Sequence, residues 1–153
     1  MAVRRSAQFY MGVDIGGSKI LAGLFSASLQ LRGTLKIKTK ANLGKEVVIE
    51  RVERVVRDLL SEQDVHLKQV RAIGLGAPGV VIKGRVINAY NIGWDNVSIK
   101  TILQRRMRIT VFVENDCNLF TLGIHQVELK GKPRTMIGCF LGTGFGGGII
   151  ING

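Results

Sequence analysis

The sequence has few cysteines and few aromatic residues, and it contains no long apolar run. Its two cysteines, Cys117 and Cys139, are too few and too far apart for a disulfide framework or a zinc ribbon. We therefore expect no zinc in this chain and interpret both cysteines as small hydrophobic residues. No apolar run approaches the roughly 18 residues that a membrane-spanning helix needs, so we expect no membrane partner.

Acidic residues are also scarce, since 11 Asp and Glu stand against 22 Lys and Arg and the formal net charge is +11. An excess of this kind suits a protein that binds nucleic acid or another polyanion. The basic residues are scattered, however, and no aromatic side chains interleave with them as a base-stacking surface would require. We therefore interpret the charge as a solvated basic face and expect no nucleic-acid partner.

Nothing near the amino terminus predicts a targeting signal. The first apolar stretch follows Arg4 and Arg5 and is interrupted at Asp14, so it does not have the form of a signal peptide. We expect a cytoplasmic protein of one domain, because 153 residues are ample for one domain and too few for two typical ones. His66 and His125 lie in polar, helix-like segments and are predicted to be solvated surface residues.

Hydrophobic periodicity predicts an α/β domain with a mixed sheet. The stretches 9–14, 20–25 and 31–39 have the pattern of strands, and their short connections imply an antiparallel meander. The clearest helix is 46–62, which carries one apolar stripe opposite charged residues. Alternating helices and strands follow, as in α/β folds. The remaining predicted elements are a strand at 70–76, a hairpin at 80–87, a helix at 98–107, a strand at 109–113, a helix at 117–129, and strands at 135–141 and 148–151.

A glycine-bearing turn, 14–19, joins the first two predicted strands. Gly16 and Gly17 would let the backbone approach a ligand and turn its N–H groups toward an anion. Ser18 and Lys19 add a hydroxyl group and a positive charge. The spacing is not that of a P-loop, and a strand follows rather than a helix. Taken alone, this turn is either a phosphate site or an ordinary hairpin turn.

Two further glycine turns lie later in the chain. The segment 142–148 holds five glycines in seven residues, and each glycine costs backbone entropy on ordering, so a tight turn alone does not explain so many. We favour ligand binding there, although no helix follows and a dinucleotide fold is not predicted. The segment 74–79 ends a buried strand and is as consistent with a structural turn as with a ligand site.

The polar sequence Glu114-Asn115-Asp116 stands between a predicted strand and a predicted helix. Asp116 is placed to act as a general base at the sheet edge, or else this segment caps the helix. Its occurrence beside two glycine loops favours catalysis, because phosphoryl transfer needs loops that cradle an anion, a metal-binding acid and a base for the attacking hydroxyl.

These features, in this order, resemble the amino-terminal domain of the ROK sugar kinases (repressors, open reading frames and kinases), which belong to the actin-like ATPases. The resemblance runs from about residue 10 to the end of the chain and implies an actin-like ATPase domain of the ribonuclease H-like type, with a mixed five-stranded sheet and helices. Five segments carry it, at 14–19, 76–79, 91–94, 114–116 and 142–148.

The resemblance implies ATP-dependent phosphorylation of a glucose-like hexose at its 6-hydroxyl, with ATP and magnesium as cofactors. Asp116 would be the catalytic base, and Asp14 would orient magnesium through water. Gly79, Asn91 and Asn115, with Asp116, would bind the sugar substrate. The residues that would face the ATP phosphates are Asp14, Gly16, Gly17, Ser18, Lys19, Gly142, Thr143 and Gly144.

Two departures from the family pattern leave alternatives open. Only residues 1–8 precede the first strand, where family repressors carry a winged-helix domain, and the family continues for about another domain beyond the second phosphate motif. We therefore interpret 1–153 as a single amino-terminal kinase domain without the carboxy-terminal domain, and expect no phosphoryl transfer by this chain alone. The alternatives are a non-catalytic sugar-binding or regulatory module, or a transcriptional regulator without its DNA-binding domain. Polyphosphate is a minor alternative donor, and exposed apolar surface predicts a homodimer or other self-association.

Overall fold

The computed structural model describes residues 8–142 and 144–153 of the chain. It opens with three strands, β1 (Phe9–Ile15), β2 (Lys19–Ser26) and β3 (Leu31–Lys38), which form the predicted antiparallel meander. Alternate side chains of β1 and β2 are buried, because successive residues of a strand point to opposite faces of the sheet.

Helix α1 (Lys45–Glu62) covers one face of the meander, close to where the apolar stripe predicted it. Helix α2 (Ile99–Met107) lies beside it, and Arg106 of α2 forms ion pairs with Glu46 and Glu53 of α1 at 3.1 and 3.0 Å. These side chains are solvent-accessible, so the pairs orient the helices more than they stabilise them. The buried residues of α1 are Val48, Ile49, Val52, Val55, Val56, Leu59 and Leu60.

The sheet is completed by parallel strands. Strand β4 (Val70–Ala77) pairs with β1. The predicted hairpin follows as β5 (Val80–Ile82) and β6 (Arg85–Ile87), and strand β7 (Thr110–Asn115) then pairs with β4. The strand order is β3-β2-β1-β4-β7, which confirms the predicted mixed five-stranded sheet.

The helix predicted at 117–129 is shorter and less regular than its pattern suggested. Helix α3 (Asp116–Gly123) is α-helical, and a π-helical turn (Ile124–Glu128) continues it. The change falls at Gly123, where a poor helix former weakens the α-helical pattern. Helix α3 packs on the sheet face opposite α1 and contacts β4 and β7.

The π-helical turn explains why the prediction for His125 is wrong. His125 is 1% exposed, and its Nε2 atom lies 2.8 Å from the carbonyl oxygen of Pro133. Its Nδ1 atom lies 3.0 Å from Nε2 of Gln126. Both ring nitrogens therefore have partners inside the protein, as a buried polar side chain requires. His66 is exposed, as predicted.

The last two strands, β8 (Thr135–Leu141) and β9 (Phe145–Ile151), form an antiparallel hairpin that packs on α3. Strand β9 begins three residues before its predicted start, because the glycines at 146–148 pair with β8 instead of belonging to the turn. The turn itself is correspondingly short.

One face of this hairpin is apolar and open to solvent; we call it the outer face. Cys139 lies on it and is exposed. Among the described residues, no helix is long and apolar enough to cross a membrane. The large side chains of the outer face, with their exposed fractions, are Ile137 (67%), Leu141 (88%), Phe145 (73%), Ile149 (64%) and Ile151 (70%).

Candidate functional site

The carboxyl ends of three parallel strands meet at one edge of the sheet. Asp14 on β1 lies in register with Gly76 on β4, and Gly76 lies in register with Glu114 on β7. Strand β7 runs directly into α3, so Asp116 follows at the same edge. Open α/β sheets bind their ligands in the crevice outside the carboxyl ends of their strands. The candidate acidic residues therefore lie where a ligand site is expected.

Gly76 lies between Asp14 and Asp116 and places no side chain there. A β-carbon built on Gly76 would lie 3.6 Å from Oδ1 of Asp14 and 3.6 Å from the Cα atom of Asp116. Both aspartates line one cavity of about 530 Å³ between the sheet and α3. Burial, and secondarily the negative charge of Asp116, raise the pKa of Asp14 above its ordinary value of 3.8. Two carboxylates that face one space in this way favour a cation between them.

Asn115 holds the Asp116 carboxylate in place. Its Nδ2 atom donates to Oδ1 of Asp116 at 3.0 Å and to the carbonyl oxygen of Gly79 at 2.9 Å. Its Oδ1 atom accepts from the N–H of Asn118 at 3.1 Å and caps α3. The N–H of Cys117 also donates to Oδ1 of Asp116, at 2.9 Å. This oxygen therefore accepts two bonds, and no described residue donates to Oδ2, which remains available to a ligand.

The turn at Gly79 requires glycine. Its φ angle is +86°, and a β-carbon there would lie 2.6 Å from the carbonyl oxygen of Ile87 and 3.0 Å from the nitrogen of Ala89. Only glycine fits a positive φ and such close backbone contact. The carbonyl group of Gly79 is thereby fixed where Asn115 can bind it.

The first glycine turn is held by its own backbone and by Thr39. The N–H of Gly16 donates to the carbonyl oxygen of Lys19 at 2.9 Å. The hydroxyl of Thr39, which is fully buried, donates to the carbonyl oxygen of Gly16 at 2.6 Å, and its N–H donates to that of Ser18 at 2.9 Å. Within residues 8–142 and 144–153, the N–H groups of Gly17 and Ser18 donate to no other residue. They remain available to an anion.

Thr39 was not among the predicted site residues, although a signal for it exists. The alternation of β3 places it on the buried side with Leu35 and Ile37, between two exposed lysines. A buried hydroxyl needs a hydrogen-bond partner. Lys38 pairs with Lys19 across β3 and β2, so the residue after Lys38 lies beside the glycine turn that precedes Lys19.

Asn91 contacts the first glycine turn. A β-carbon on Gly17 would lie 3.3 Å from the carbonyl oxygen of Asn91 and 3.6 Å from its Cβ atom. The predicted sugar-binding and phosphate-binding segments are thus neighbours here. Ser18 and Lys19 are exposed.

The second glycine turn is closed by a bond from the N–H of Gly142 to the carbonyl oxygen of Gly144, at 2.9 Å. Thr143, which was predicted to face the phosphates, lies outside the described residues. Gly146 and Gly148 point their missing side chains at α3, where a β-carbon on Gly148 would lie 2.8 Å from Cβ of Thr121. Packing on α3 therefore gives a structural reason for Gly146 and Gly148, which lie in the segment where ligand binding was predicted.

The donor set fits magnesium bound through few protein contacts. Within the described part of the chain, no group of three or more acidic, histidine or cysteine residues forms a metal cluster. Magnesium bound to a nucleotide needs only one or two carboxylates, because phosphate oxygens and water complete its coordination. Asp14 lies near the first glycine turn and lines the same cavity as a second carboxylate, that of Asp116. It therefore meets that requirement.

Comparison with known proteins gives consistent relatives. The chain is 31% identical over 150 residues to a glucokinase of Halalkalibacterium halodurans, covering 97% of this chain and 46% of that protein. It is 31% identical to an N-acetyl-D-glucosamine kinase of Yersinia pseudotuberculosis serotype O:3, covering 94% and 46%. The chain therefore spans about half the length of the curated relatives it matches.

The fold agrees with a solved structure of the same kind. A ROK family glucokinase from Streptomyces griseus, in complex with glucose and AMPPNP, superposes with a TM-score of 0.82 at 33% sequence identity. The match covers 94% of this chain and 45% of that one, and confirms the predicted actin-like ATPase fold. The family model for the ROK family matches residues 10–153, so this chain belongs to the ROK family.

Proposed function

We propose that the chain is the amino-terminal half of a sugar kinase, which phosphorylates a glucose-like hexose at its 6-hydroxyl with ATP as donor. The observation that carries this proposal is the Asp116 carboxylate. One of its oxygens accepts from Asn115 and from the N–H of Cys117, the other accepts from no described residue, and Asp116 lines the same cavity as Asp14. A base that is fixed through one oxygen and open at the other suits proton transfer from a bound hydroxyl.

In the proposed reaction, Oδ2 of Asp116 accepts the proton of the sugar hydroxyl while the hydroxyl oxygen bonds to the terminal phosphorus of ATP. The bond from that phosphorus to the bridging oxygen breaks, and ADP leaves with the electron pair. The free N–H groups of Gly17 and Ser18, with Lys19, would bind the phosphates, and magnesium near Asp14 would supply neutralising charge. Gly142, Thr143 and Gly144 would bind the donor from the other side.

The sugar would bind between the Gly79 turn and Asn91. Asn91 contacts the first glycine turn, so its side chain can reach a hydroxyl near the reacting phosphate. Asn115 already uses both Nδ2 protons within the protein, and its Oδ1 atom accepts from the N–H of Asn118. We therefore assign it to holding Asp116, with one lone pair of Oδ1 left for a sugar hydroxyl.

Calorimetric titration tests this proposal. Glucose and N-acetylmannosamine would be titrated into the chain, with and without magnesium and ATP, in parallel on Asp116→Ala with its fold confirmed by circular dichroism. We expect millimolar or tighter binding of one sugar, a free energy of about −4 kcal/mol or more favourable, and a changed heat in the variant. Absence of binding by every sugar and nucleotide would contradict the proposal.

The alternatives are a non-catalytic sugar-binding or regulatory module and a regulator of this fold. Both predict sugar binding that does not depend on Asp116. They are favoured over the kinase if Asp116→Ala binds sugar and nucleotide with unchanged heats.

Polyphosphate is a second candidate donor, favoured by the arrangement of lysines beside the first glycine turn. Lys19 and Lys38 are directly opposite across β2 and β3, and Lys36 lies opposite Leu21. Like charges in such a pair destabilise a sheet, so an anion that binds both would relieve the repulsion. We expect polyphosphate binding to weaken steeply with salt and in Lys38→Gln, but not in the exposed control Lys68→Gln.

The outer face of the hairpin supports the expectation of a homodimer or other self-association, because contiguous exposed apolar side chains mark interaction surfaces. Light scattering over a range of concentrations measures this directly. A constant monomer mass would contradict it.

A further inference from the structure

The glycine hairpin contacts α3 through two side chains, Cys117 and Thr121. A β-carbon on Gly146 of β9 would clash with Sγ of Cys117. Thr121 is fully buried, and its hydroxyl occupies the space beside Gly138 and Gly148, which pair directly across β8 and β9. Both strands of the hairpin thus approach α3 where they have no side chains.

The spacing of these two residues makes them a single contact surface. Cys117 and Thr121 are four residues apart, so they lie on the same side of α3 one turn from each other. The Thr121 hydroxyl donates to the carbonyl oxygen of Cys117 at 2.8 Å, so its hydrogen-bonding need is met within the helix. Neither side chain forms a recorded hydrogen bond to a described residue of the hairpin. Their effect on it is steric, and they fix how closely it approaches.

This contact connects the two halves of the candidate site. Asp116 is the residue immediately before Cys117, and its Oδ1 atom accepts from the Cys117 N–H. Gly146 lies two residues after Gly144, which closes the second glycine turn. We therefore expect a change in the separation of Cys117 and Gly146 to move Gly144 relative to Asp116.

We propose that Cys117 and Thr121 are positioning residues, which set the distance from Asp116 to Gly142 and Gly144 of the second glycine turn. The proposal rests on the proposed function in one respect, that this turn binds the donor phosphates. A displacement of about 1 Å in such a site can lower catalytic efficiency about a hundredfold. The chain therefore requires the side chains on α3 and the glycines on the hairpin to match in size.

A double-mutant cycle tests the proposal. Gly146→Ala places a methyl group against the Cys117 thiol, and Cys117→Ala removes the thiol. Cys139→Ala is the matched control for Cys117→Ala, because the Cys139 thiol is exposed on the outer face of the hairpin, away from α3. Each variant would be examined by two-dimensional amide NMR without ligand, by thermal unfolding, and by titration with magnesium and ATP.

We expect the amide resonances of Gly142, Gly144 and Asp116 to shift in Gly146→Ala and to return in the double variant with Cys117→Ala. We expect ATP binding to weaken about tenfold in the single variant and to recover within about twofold in the double variant. If Gly146→Ala does not fold, recovery of folding in the double variant supports the contact, and failure to recover overturns it.

Other outcomes separate the two proposals. If the unmodified chain binds no ATP while the resonances shift and return as expected, the positioning contact stands and the proposed donor site fails. If Gly146→Ala leaves the resonances and the affinity unchanged, the thiol rotates aside without moving the hairpin, and the positioning role is overturned. The same conclusion follows if the double variant is no closer to the unmodified chain than Gly146→Ala.

Discussion

The two glycine turns have similar compositions but are held in place by different means. The first, between β1 and β2, belongs to the five-stranded sheet and is held by hydrogen bonds from buried Thr39 and by contact with Asn91. The second joins β8 and β9, whose hairpin forms no ladder with the main sheet in the described residues. Steric contact with α3 fixes the position of this hairpin, and the outer face of the hairpin is exposed to solvent.

This difference shows that glycine content alone does not reveal what a glycine does. At Gly16 and Gly17 the residues allow a tight turn in which the N–H groups of Gly17 and Ser18 donate to no described residue. At Gly146 and Gly148 they allow a hairpin to lie against a helix. We therefore expect substitutions in the first turn to affect ligand binding, and those in β9 to affect folding as well.

The largest expected effect is that of Gly148→Ala. Its β-carbon would lie 2.8 Å from Cβ of Thr121 and 2.9 Å from the carbonyl oxygen of Cys117, and neither atom is the end of a flexible side chain. Overpacking of this kind should lower the free energy of unfolding by about 3 kcal/mol, measured by urea denaturation. Gly142→Ala meets nothing within 4 Å and should change it by less than about 0.5 kcal/mol. Equal effects would remove the distinction between packed and free glycines.

A smaller loss of stability is expected when the first glycine turn loses its hydrogen bond from Thr39. Thr39→Val keeps the side-chain shape but leaves the carbonyl oxygen of Gly16 without its buried donor. The expected cost is about 2 kcal/mol, with a weaker affinity for phosphate ligands. Thr34→Val, which lies on β3 just before Thr39 but is exposed, is the control and should be nearly neutral. If Thr39→Val binds and unfolds like the unmodified chain, the hydrogen bond does not hold the turn.

Much of this arrangement follows from the sequence. The meander, the amphipathic α1 and the alternation in β3 were predicted because each depends on a regular apolar period. The same alternation even placed Thr39 on the buried side. The position of Asp14 and Asp116 at one edge of the sheet was predictable because parallel strands align their carboxyl ends.

Other features depend on contacts between distant segments and left no local signal. The burial of His125, which lies in the π-helical turn, depends on Pro133, whose carbonyl oxygen is a hydrogen-bond partner of its ring. The close contact between Gly146 and the Cys117 thiol depends on how the hairpin packs on α3. Asn115 stays a predicted sugar-binding residue, and its contacts with Gly79 and Asp116, which no local pattern indicated, add a role in holding Asp116.

A pH effect is expected at Asp14, at the edge of the first turn. Its raised pKa means that the folded protein binds this proton more tightly than the unfolded chain, so ionisation lowers stability as the pH rises from about 3.8. Asp14→Asn should therefore increase the unfolding free energy near neutral pH, by less than about 1 kcal/mol because solvent reaches the side chain. The gain should vanish at about pH 3. The exposed control Asp95→Asn should show no such gain, and a loss of stability in Asp14→Asn at neutral pH would contradict the assignment.

The smallest expected effect is a difference between the rates at which the two cysteines react with an alkylating reagent, which leaves the fold unaltered. Burial, followed by the charge and hydrogen bond of Asp116 and the charge of Asp14, raises the pKa of the Cys117 thiol above its ordinary value of 9.0. Cys139 is exposed on the outer face. We expect an alkylating reagent to modify Cys139 first, with Cys117 at least about tenfold slower, followed by peptide mass spectrometry. Faster modification of Cys117 would show that the hairpin leaves α3 in solution.

The central claim is that both glycine turns bind one phosphate chain beside Asp116. Amide NMR during titration with magnesium and AMPPNP measures this most directly. The account predicts that resonances of Gly16, Gly17 and Ser18 shift together with those of Gly142 and Gly144, along one saturation curve. Shifts confined to the resonances of one turn, or saturation curves for the two turns with different midpoints, would contradict it.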